Sequence, residues 1–431
     1  MTTETHKIAE DIFRAALKGA DPFAGTVRYS ALVLDSFVSG GYEKLSYLAF
    51  GKAAPRMAQA LEATAGDTLR QGLVVTGYDN AAGFASRLAS PACVMEAGHP
   101  VPDKAGAEAA SRAIELALPL GRDDLLVCLV SGGGSALLAS PAEGITLEDK
   151  QEITLALLRS GADITEINIV RKHLSKIKGG RLAALAHPAG VISLIVSDVV
   201  GDAVENVASG PTSPDTSTYA DAGAVMKKYR ITPPDNVMGL IESGINGKTP
   251  ETPKPEDPVF QRVENIISTR NRSALDGAFN RALELGLMPD ILTGELAGDV
   301  SYAAQWLAGK AREKKSAPAC IISGGETTVR VTGSGMGGRN MELALWFALE
   351  IEGEKGITLL SAGTDGSDGG TEAAGAIVDG KTARRARRKG INPEAYLKNN
   401  DSYNFFRKAG GLVTTGPTGT NVMDVQVMVI S

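Results

Sequence analysis

The strongest constraint on this chain comes from two runs, DLLVCLVSGG (124–133) and VISLIVSD (191–198), which are almost wholly apolar over the length of a strand. A strand with one wet face alternates between apolar and polar residues. A strand without alternation must be covered on both faces, as inside a parallel sheet flanked by helices. Three more β-rich runs come first, LSYLAF (45–50), GLVVTG (72–77) and ACVMEAG (92–98), with helical signals between the runs. Asp103 is placed to cap a helix that runs through Ile114 and Leu118 and stops at Pro119 and Gly121. Thr146 with Asp149, and Asp163 with Glu166, have capping-box spacing. Beyond Asp163, the positions of Ile167, Val170, Leu174 and Ile177 predict one buried stripe on a helix over 163–178. This alternation predicts βαβ units with right-handed crossovers, hence an α/β fold with a Rossmann-like parallel sheet and helices on both faces.

At 431 residues the chain is too long for one ordinary core, so two α/β domains are expected. The run KTPETPKPEDP (248–258) denies its backbone both helix and sheet hydrogen bonds and reads as the connector. That places the domains at 1–247 and 259–431. Further strands are expected at 264–270, 289–294, 319–326, 327–331, 356–363, 374–380 and 425–430. TTVRV (327–331) alternates, which suits a strand with one wet face and predicts a mixed sheet in the second domain.

A net charge of −6 offers no general attraction to nucleic acid or to an anionic membrane. The basic run ARRARRKG (383–390) reads as a solvated helix face. Three cysteines without metal-ligand spacing, and a start with acidic residues and no apolar h-region, lead to the expectation of a cytoplasmic protein. No apolar run approaches the roughly 20 residues of a membrane span.

In open parallel sheets, ligands bind beyond the carboxyl ends of the strands. The five strand ends of the first half carry Gly51-Lys52, Thr76-Gly77, Glu96 to His99, Ser131-Gly132-Gly133-Gly134-Ser135 and Ser197-Asp198. Turns account for the glycines but not for a lysine, two acids, a histidine and serines gathered at one edge. The SGGGS segment can aim backbone N–H groups at an anion, although no GxxxxGK[ST] phosphate loop occurs. Asp198 can hold a divalent metal, take a hydroxyl proton or cap the next turn. Asn168, Arg171, Lys172, Ser175 and Lys176 fall away from the apolar stripe. A solvated basic face is the bland reading of them, and Arg171 or Lys172 reaching back to a carboxylate or phosphate is the functional one.

In the second half, Gly333-x-Gly335-x-x-Gly338 matches a dinucleotide-binding fingerprint, but the strand before it alternates where a Rossmann strand should be buried. A flexible glycine hairpin presenting Arg339 and Asn340 fits better. GTDGSDGG places Asp365 and Asp368 on a turn where, with Glu326, they could gather Mg²⁺ or simply shape the surface.

The strings GKAA, EAGHPVPD, SGGGSALL, INIVRKHLSKIKGG, SDVVGDAVENVASGPTSPD, SGGETTVRVTGSGMGGRN, SAGTDGSDG and NDSYNFF together closely resemble class II glycerate kinases, from about Ile8 to Val429. In that resemblance the region of about 318–427 is similar to the MOFRL domain. The resemblance implies ATP-dependent phosphorylation of D-glycerate, generally at the 2-hydroxyl, with Mg²⁺ and an active site in the cleft between the two domains. It implies Lys52 and Arg339 as catalytic residues that neutralise a loose phosphoryl-transfer transition state. Set beside that chemistry, the residues themselves offer Ser131, Gly132, Gly133, Gly134, Ser135, Arg171, Lys172 and Asn340 as candidates for substrate or phosphate, and Asp198, Glu326 and Asp365 as candidates for the metal. Small-molecule substrates are then the partners, and a homodimer is compatible with a sequence that leaves the oligomeric state open. Some relatives carry the label hydroxypyruvate reductase. A nicotinamide-dependent reductase is therefore the alternative, although all four histidines precede the connector. A non-catalytic hydroxy-acid binding protein is a second.

Overall fold

The protein is described here by a computed structural model covering residues 4–78, 92–314 and 318–431. It divides into two units, one of residues 22–268 and one formed by residues 1–21 together with 269–431.

The unit of residues 22–268 is built on β1 (Lys44–Phe50), β2 (Leu69–Gly77), β3 (Ala92–Ala97), β4 (Asp124–Val130), β5 (Gly190–Val196) and β6 (Val263–Thr269), in the order β3-β2-β1-β4-β5-β6. The pairings from β3 through β5 are all parallel. Every residue of β4 and β5 is buried, as their almost wholly apolar composition requires. On one face Leu48, Phe50, Leu126, Cys128 and Val130 pack with the alanines of the helix Lys104–Ala117. On the other, the hydroxyl of buried Tyr47 donates to Glu62 of the helix Ala54–Ala65. Asp103 caps the first of these helices through Gly106 N, and Thr146 and Asp149 close a full capping box on the helix Leu147–Ser160. Asp163 accepts from Glu166 N, but its helix stops at His173, short of the expected 178. That helix belongs to a separate helical cluster with Tyr219, Val225, Val237 and Ile241.

The second unit carries β7 (Met288–Asp299), β8 (Ala319–Thr328), β9 (Ile357–Gly363), β10 (Gly375–Asp379), β11 (Leu412–Val413) and β12 (Asp424–Ile430), ordered β11-β10-β9-β12-β8-β7. Among the described residues only β7 with β8 is parallel; the other pairings are antiparallel, so the sheet is mixed.

The observed division departs from the expected one. The strand expected to open the second domain is β6, which joins the parallel sheet, so the boundary falls at 268/269 and not at 248–258. The proline-rich run packs on its own unit: Thr252 is buried and Pro253 O accepts from Asp215 N. The first 21 residues group with the second unit because the helix Glu4–Gly19 lies against the helix Asn271–Glu284. Gly19 and Gly277 permit that approach, since a Cβ on either would come within 2.6 Å of the other helix's carbonyl oxygens. The expected strand 327–331 ends at Thr328, and Val331 is exposed.

Candidate active site

Because β1 to β5 run parallel, their carboxyl ends share one edge. The chain winds from β1 to β2 and β3 on one side and through β4 and β5 on the other, so the loops after β1 and β4 diverge at the switch point where such sheets bind ligands. Lys52 follows β1 and the SGGGS turn follows β4. The two are stitched together: Ser131 N donates to Phe50 O (3.1 Å), Lys52 N to Gly132 O (2.9 Å) and Ala53 N to Ser131 Oγ (3.0 Å).

The glycines here are required by crowding. A Cβ on Gly132 would lie 1.9 Å from Asp198 Oδ2, and one on Gly133, whose φ is +84°, would lie 3.1 Å from the His99 ring and 3.3 Å from Lys52 Cγ. Groups from the ends of β1, β3 and β5 thus converge on the turn after β4, as the strand-end pattern predicted. Behind the turn, Ser135 Oγ lies 2.7 Å from Ser209 Oγ, which donates to Asn168 Oδ1 at 2.9 Å. Ala208 and Ser209 have φ of +51° and +62°. A left-handed non-glycine residue costs about 1–2 kcal/mol, so this strap is held by its surroundings.

The basic segment after Asp163 is not a solvated face. Asn168, Lys172 and Ser175 are buried, and only Lys176 points to water. The reason is a second layer: the helix Tyr219–Lys228 and the strap at 206–210 cover it. Lys172 Nζ pairs with buried Asp215 at 3.2 Å, which commits its charge to the scaffold. Arg171 makes no hydrogen bond or ion pair with the described residues of its unit and sits beside two lysines, Lys150 and Lys178, that the sequence reading passed over. Both lysines are buried.

In the second unit Arg339 opens the helix Arg339–Glu350. Its Nε and Nη2 donate to the two oxygens of Asp424 at 2.6 and 3.0 Å, and its Nη1 meets Glu326 at 2.7 Å. Burial works against the guanidinium charge, but Asp424 and Glu326 outweigh it and hold the group firmly protonated. Of five N–H donors this leaves two. One guanidinium between two carboxylates leaves the trio net negative. Asp424, on the central strand β12, is the main residue missed from sequence; its one signal was an acid opening a mostly apolar strand. Asp368 accepts from Asn340 N and Met341 N at the helix start, while burial pushes its pKa up to about 7. Asn340 is buried and accepts from Ser361 Oγ at 2.7 Å, a pin within the unit.

The glycine segment before Arg339 is not a free hairpin. The backbone N–H groups of residues 332 to 336 donate in succession to Asn400 Oδ1, twice, then Asn399 Oδ1, Asn399 O and Asp401 Oδ1. A Cβ on Gly333 would lie 2.3 Å from the Asn399 backbone, and one on Gly338 would lie 2.2 Å from Asp368 Oδ1. These glycines admit the 399–402 segment and the Asp368 turn, and with the N–H groups of Gly333 and Gly335 already bonded to that segment, the first two glycines of the fingerprint are not available as a pyrophosphate cradle.

The metal expectation named Asp198, Glu326 and Asp365. Among the described residues no three acids, histidines or cysteines form a cluster able to hold a cation by themselves. Asp365 Oδ1 and Asp424 Oδ1 do face a common point, 3.4 and 3.5 Å from where a Cβ on Gly363 would sit. Hard carboxylate oxygens beside a net-negative trio fit Mg²⁺, which takes one or two protein carboxylates and completes its shell with phosphates and water. No helix among the described residues is long and apolar enough to cross a membrane.

Residues 8–242 match a family described as Domain of unknown function (DUF4147), and residues 319–424 match the MOFRL family. The chain is 44% identical to D-glycerate 2-kinase of Thermotoga maritima over 90% of its own length and 91% of that protein's. It is 40% identical, over 98% and 94% of the two chains, to a protein of Agrobacterium vitis that carries hydroxypyruvate reductase as a provisional name. The crystal structure of a glycerate kinase from Thermotoga maritima superposes with a TM-score of 0.85 at 41% identity, covering 99% of each chain. With a DUF4147 region carrying the Lys52 and SGGGS turns and a MOFRL region carrying the Arg339 cluster, the chain belongs to the class II glycerate kinase family.

Proposed function

We propose that the protein is an ATP-dependent glycerate kinase that phosphorylates D-glycerate at its 2-hydroxyl, releasing ADP. The observation that carries this reading is the seating of Lys52 on the SGGGS turn at the switch point of the parallel sheet, in a chain 44% identical to a D-glycerate 2-kinase. The 2-hydroxyl oxygen forms a bond to the γ-phosphorus while the bond from that phosphorus to the β–γ bridging oxygen breaks. The hydroxyl proton passes to a carboxylate, for which Asp198, packed against Gly132, is the proposed acceptor.

Lys52 and the two remaining N–H donors of Arg339 act on the transferred group, whose three equatorial oxygens carry the charge of a loose transition state. The N–H groups of Ser131 to Ser135, with Arg171, bind anionic oxygens of the substrates. Lys172, spent on Asp215, belongs to the scaffold, while Asn340, whose amide oxygen accepts from Ser361, keeps its amide N–H groups for the substrates. Mg²⁺ would be held by Asp365 beside Asp424, with Glu326 the further candidate and Asp198 left to the hydroxyl proton, and would neutralise phosphate charge. The net-negative Arg339 trio favours a metal-loaded polyphosphate over a bare anion.

Phosphorus NMR of the product of D-glycerate and ATP tests the reading. It should show 2-phosphoglycerate; 3-phosphoglycerate would overturn the position, and no ADP formation would overturn the activity. The reductase reading predicts NADH oxidation by hydroxypyruvate, against which stands the bonding of the N–H groups of residues 333–336 to the 399–401 segment.

A further inference from the structure

Behind the SGGGS turn lies a group of cations with nothing but neutral partners. Lys178 is 1% exposed, and its ammonium reaches only the carbonyl of Ala208, at 3.5 Å. Lys150 is 3% exposed and donates to Leu174 O at 3.0 Å. Arg181 donates to Lys172 O, Ser175 O and the Tyr219 hydroxyl. Arg171 completes the group. No carboxylate among the described residues of this unit pairs with any of the four; the nearest buried acid along the segment, Asp215, serves Lys172. Burying a cation without a counter-charge disfavours its charged form, and each neighbour of like sign adds to that cost. Accordingly burial, reinforced by Lys150 and Arg171, pushes the Lys178 ammonium well below its ordinary range, and burial with Arg171 and Arg181 brings Lys150 down to about 7.

The strap at 208–209 links this group to the turn. Ala208, whose carbonyl takes Lys178, lies 2.9 Å from where a Cβ on Gly134 would stand, and Ser209 meets Ser135. Its left-handed backbone turns the Ala208 carbonyl toward Lys178 while the Ser209 hydroxyl reaches Ser135 of the turn. A cationic cluster is therefore built against the back of a turn whose N–H groups already favour anions.

We propose that Lys178, flanked by Lys150 and Arg171, supplies the positive charge for an anionic oxygen group that seats at the SGGGS turn. That group is either the carboxylate of the hydroxy acid or a phosphate of the nucleotide. The naming of the two sources rests on the kinase reading above; the anion site itself does not.

The test uses the full chain with Lys178→Met, which keeps the side chain's length and removes its charge, so that the fold is expected to hold. Thermal unfolding is followed with D-glycerate, with ATP and with inorganic phosphate, and KM is measured for both substrates. Wild type should gain several degrees with at least one of these ligands. In the variant that gain should vanish and the matching KM should rise at least tenfold, with the other substrate's KM within twofold. Loss in the D-glycerate arm identifies a carboxylate site; loss in the ATP or phosphate arm identifies a phosphate site. Lys176→Met, on the exposed lysine of the same segment, should behave as wild type. If the Lys178→Met chain fails to fold, Lys178→Gln takes the same measurements. A folded variant with unchanged shifts and KM values overturns the proposal, as does a wild type stabilised by none of the ligands. A Lys178-dependent phosphate shift in a protein that phosphorylates no glycerate would sink the kinase reading and leave this site standing.

Discussion

The two units treat a buried positive charge in opposite ways. Behind the SGGGS turn, Lys150, Lys178 and Arg181 face carbonyl and hydroxyl oxygens only. At the head of the helix Arg339–Glu350, one guanidinium is gripped by Asp424 and Glu326, with Asp368 close behind. The first arrangement is short of negative charge and becomes stable when an anion arrives. The second is already over-neutralised, so most of its electrostatic energy goes into fixing the geometry of two leftover donors. The proposed transfer from a metal-bound nucleotide to a hydroxy acid would draw on both kinds of environment, and each stands on a different sheet.

The largest expected effects test whether the two environments serve one reaction. Lys52→Ala should lower kcat by about 10²–10³-fold, as when one preorganised charge-stabilising donor is removed elsewhere, and Arg339→Ala should lower it by a similar factor. If both cations act on the same transferred group, the double variant loses much less than the product of the single losses. Strictly multiplicative losses in steady-state assays would separate the two sites.

Stability should then distinguish what kinetics makes look alike. Arg339→Ala abandons Asp424, which is 1% exposed, on a central strand. Stranding a buried carboxylate costs about 3 kcal/mol, read as a lower urea midpoint. Lys52 lies on the turn after β1, outside the hydrophobic core, so Lys52→Ala should stay within about 1 kcal/mol. Equal destabilisation would erase the contrast between a scaffolding and a ligand-facing cation.

The pH dependence should differ in sign. Lys150 titrates at about 7 in the folded protein against 10.5 unfolded, so between those values the unfolded chain holds the extra proton and stability rises with pH. Asp368 titrates at about 7 folded against 3.8 unfolded, so between those values the folded chain holds the extra proton and stability falls with pH. Calorimetry across this range should show Lys150→Met flattening the alkaline rise and Asp368→Asn flattening the acidic fall. A variant whose slopes match wild type would remove its residue from the comparison.

What could be read in the sequence follows the range of the interactions. The unalternating β4 and β5, the Asp103 cap and the Thr146–Asp149 box are set within a few residues, and all were legible. So was the gathering of Lys52, SGGGS and Asp198, because parallel strands bring their ends to one edge. The buried lysines were not. Helical spacing separates an apolar stripe from the rest but cannot tell water from a polar interior roofed by the helix Tyr219–Lys228. Asp424 escaped for a related reason: its partner Arg339 stands 85 residues away. The glycine segment looked flexible because its anchors, Asn399 to Asp401, are equally remote. The domain boundary was misplaced because a discontinuous unit, with the helix Glu4–Gly19 packed on Asn271–Glu284, leaves no mark in composition.

The smallest effect probes whether the cation cluster depends on local helix geometry. Lys150 lies in the first turn of the helix Leu147–Ser160, immediately after the box formed by Thr146 Oγ1 with Asp149 N (3.0 Å) and Asp149 Oδ2 with Thr146 N (2.8 Å). Removing the hydroxyl in Thr146→Ala frees one helix donor and should cost about 1 kcal/mol in a urea titration. A first turn that frays lets water reach the Lys150 ammonium, which then has less reason to shed its proton. The alkaline rise in stability should therefore shrink in Thr146→Ala, although the variant leaves every charge in place. A rise of undiminished size would mean that Lys150 is held by the Leu174 carbonyl and its packing alone, and that the cap contributes stability to the unit without shaping its electrostatics.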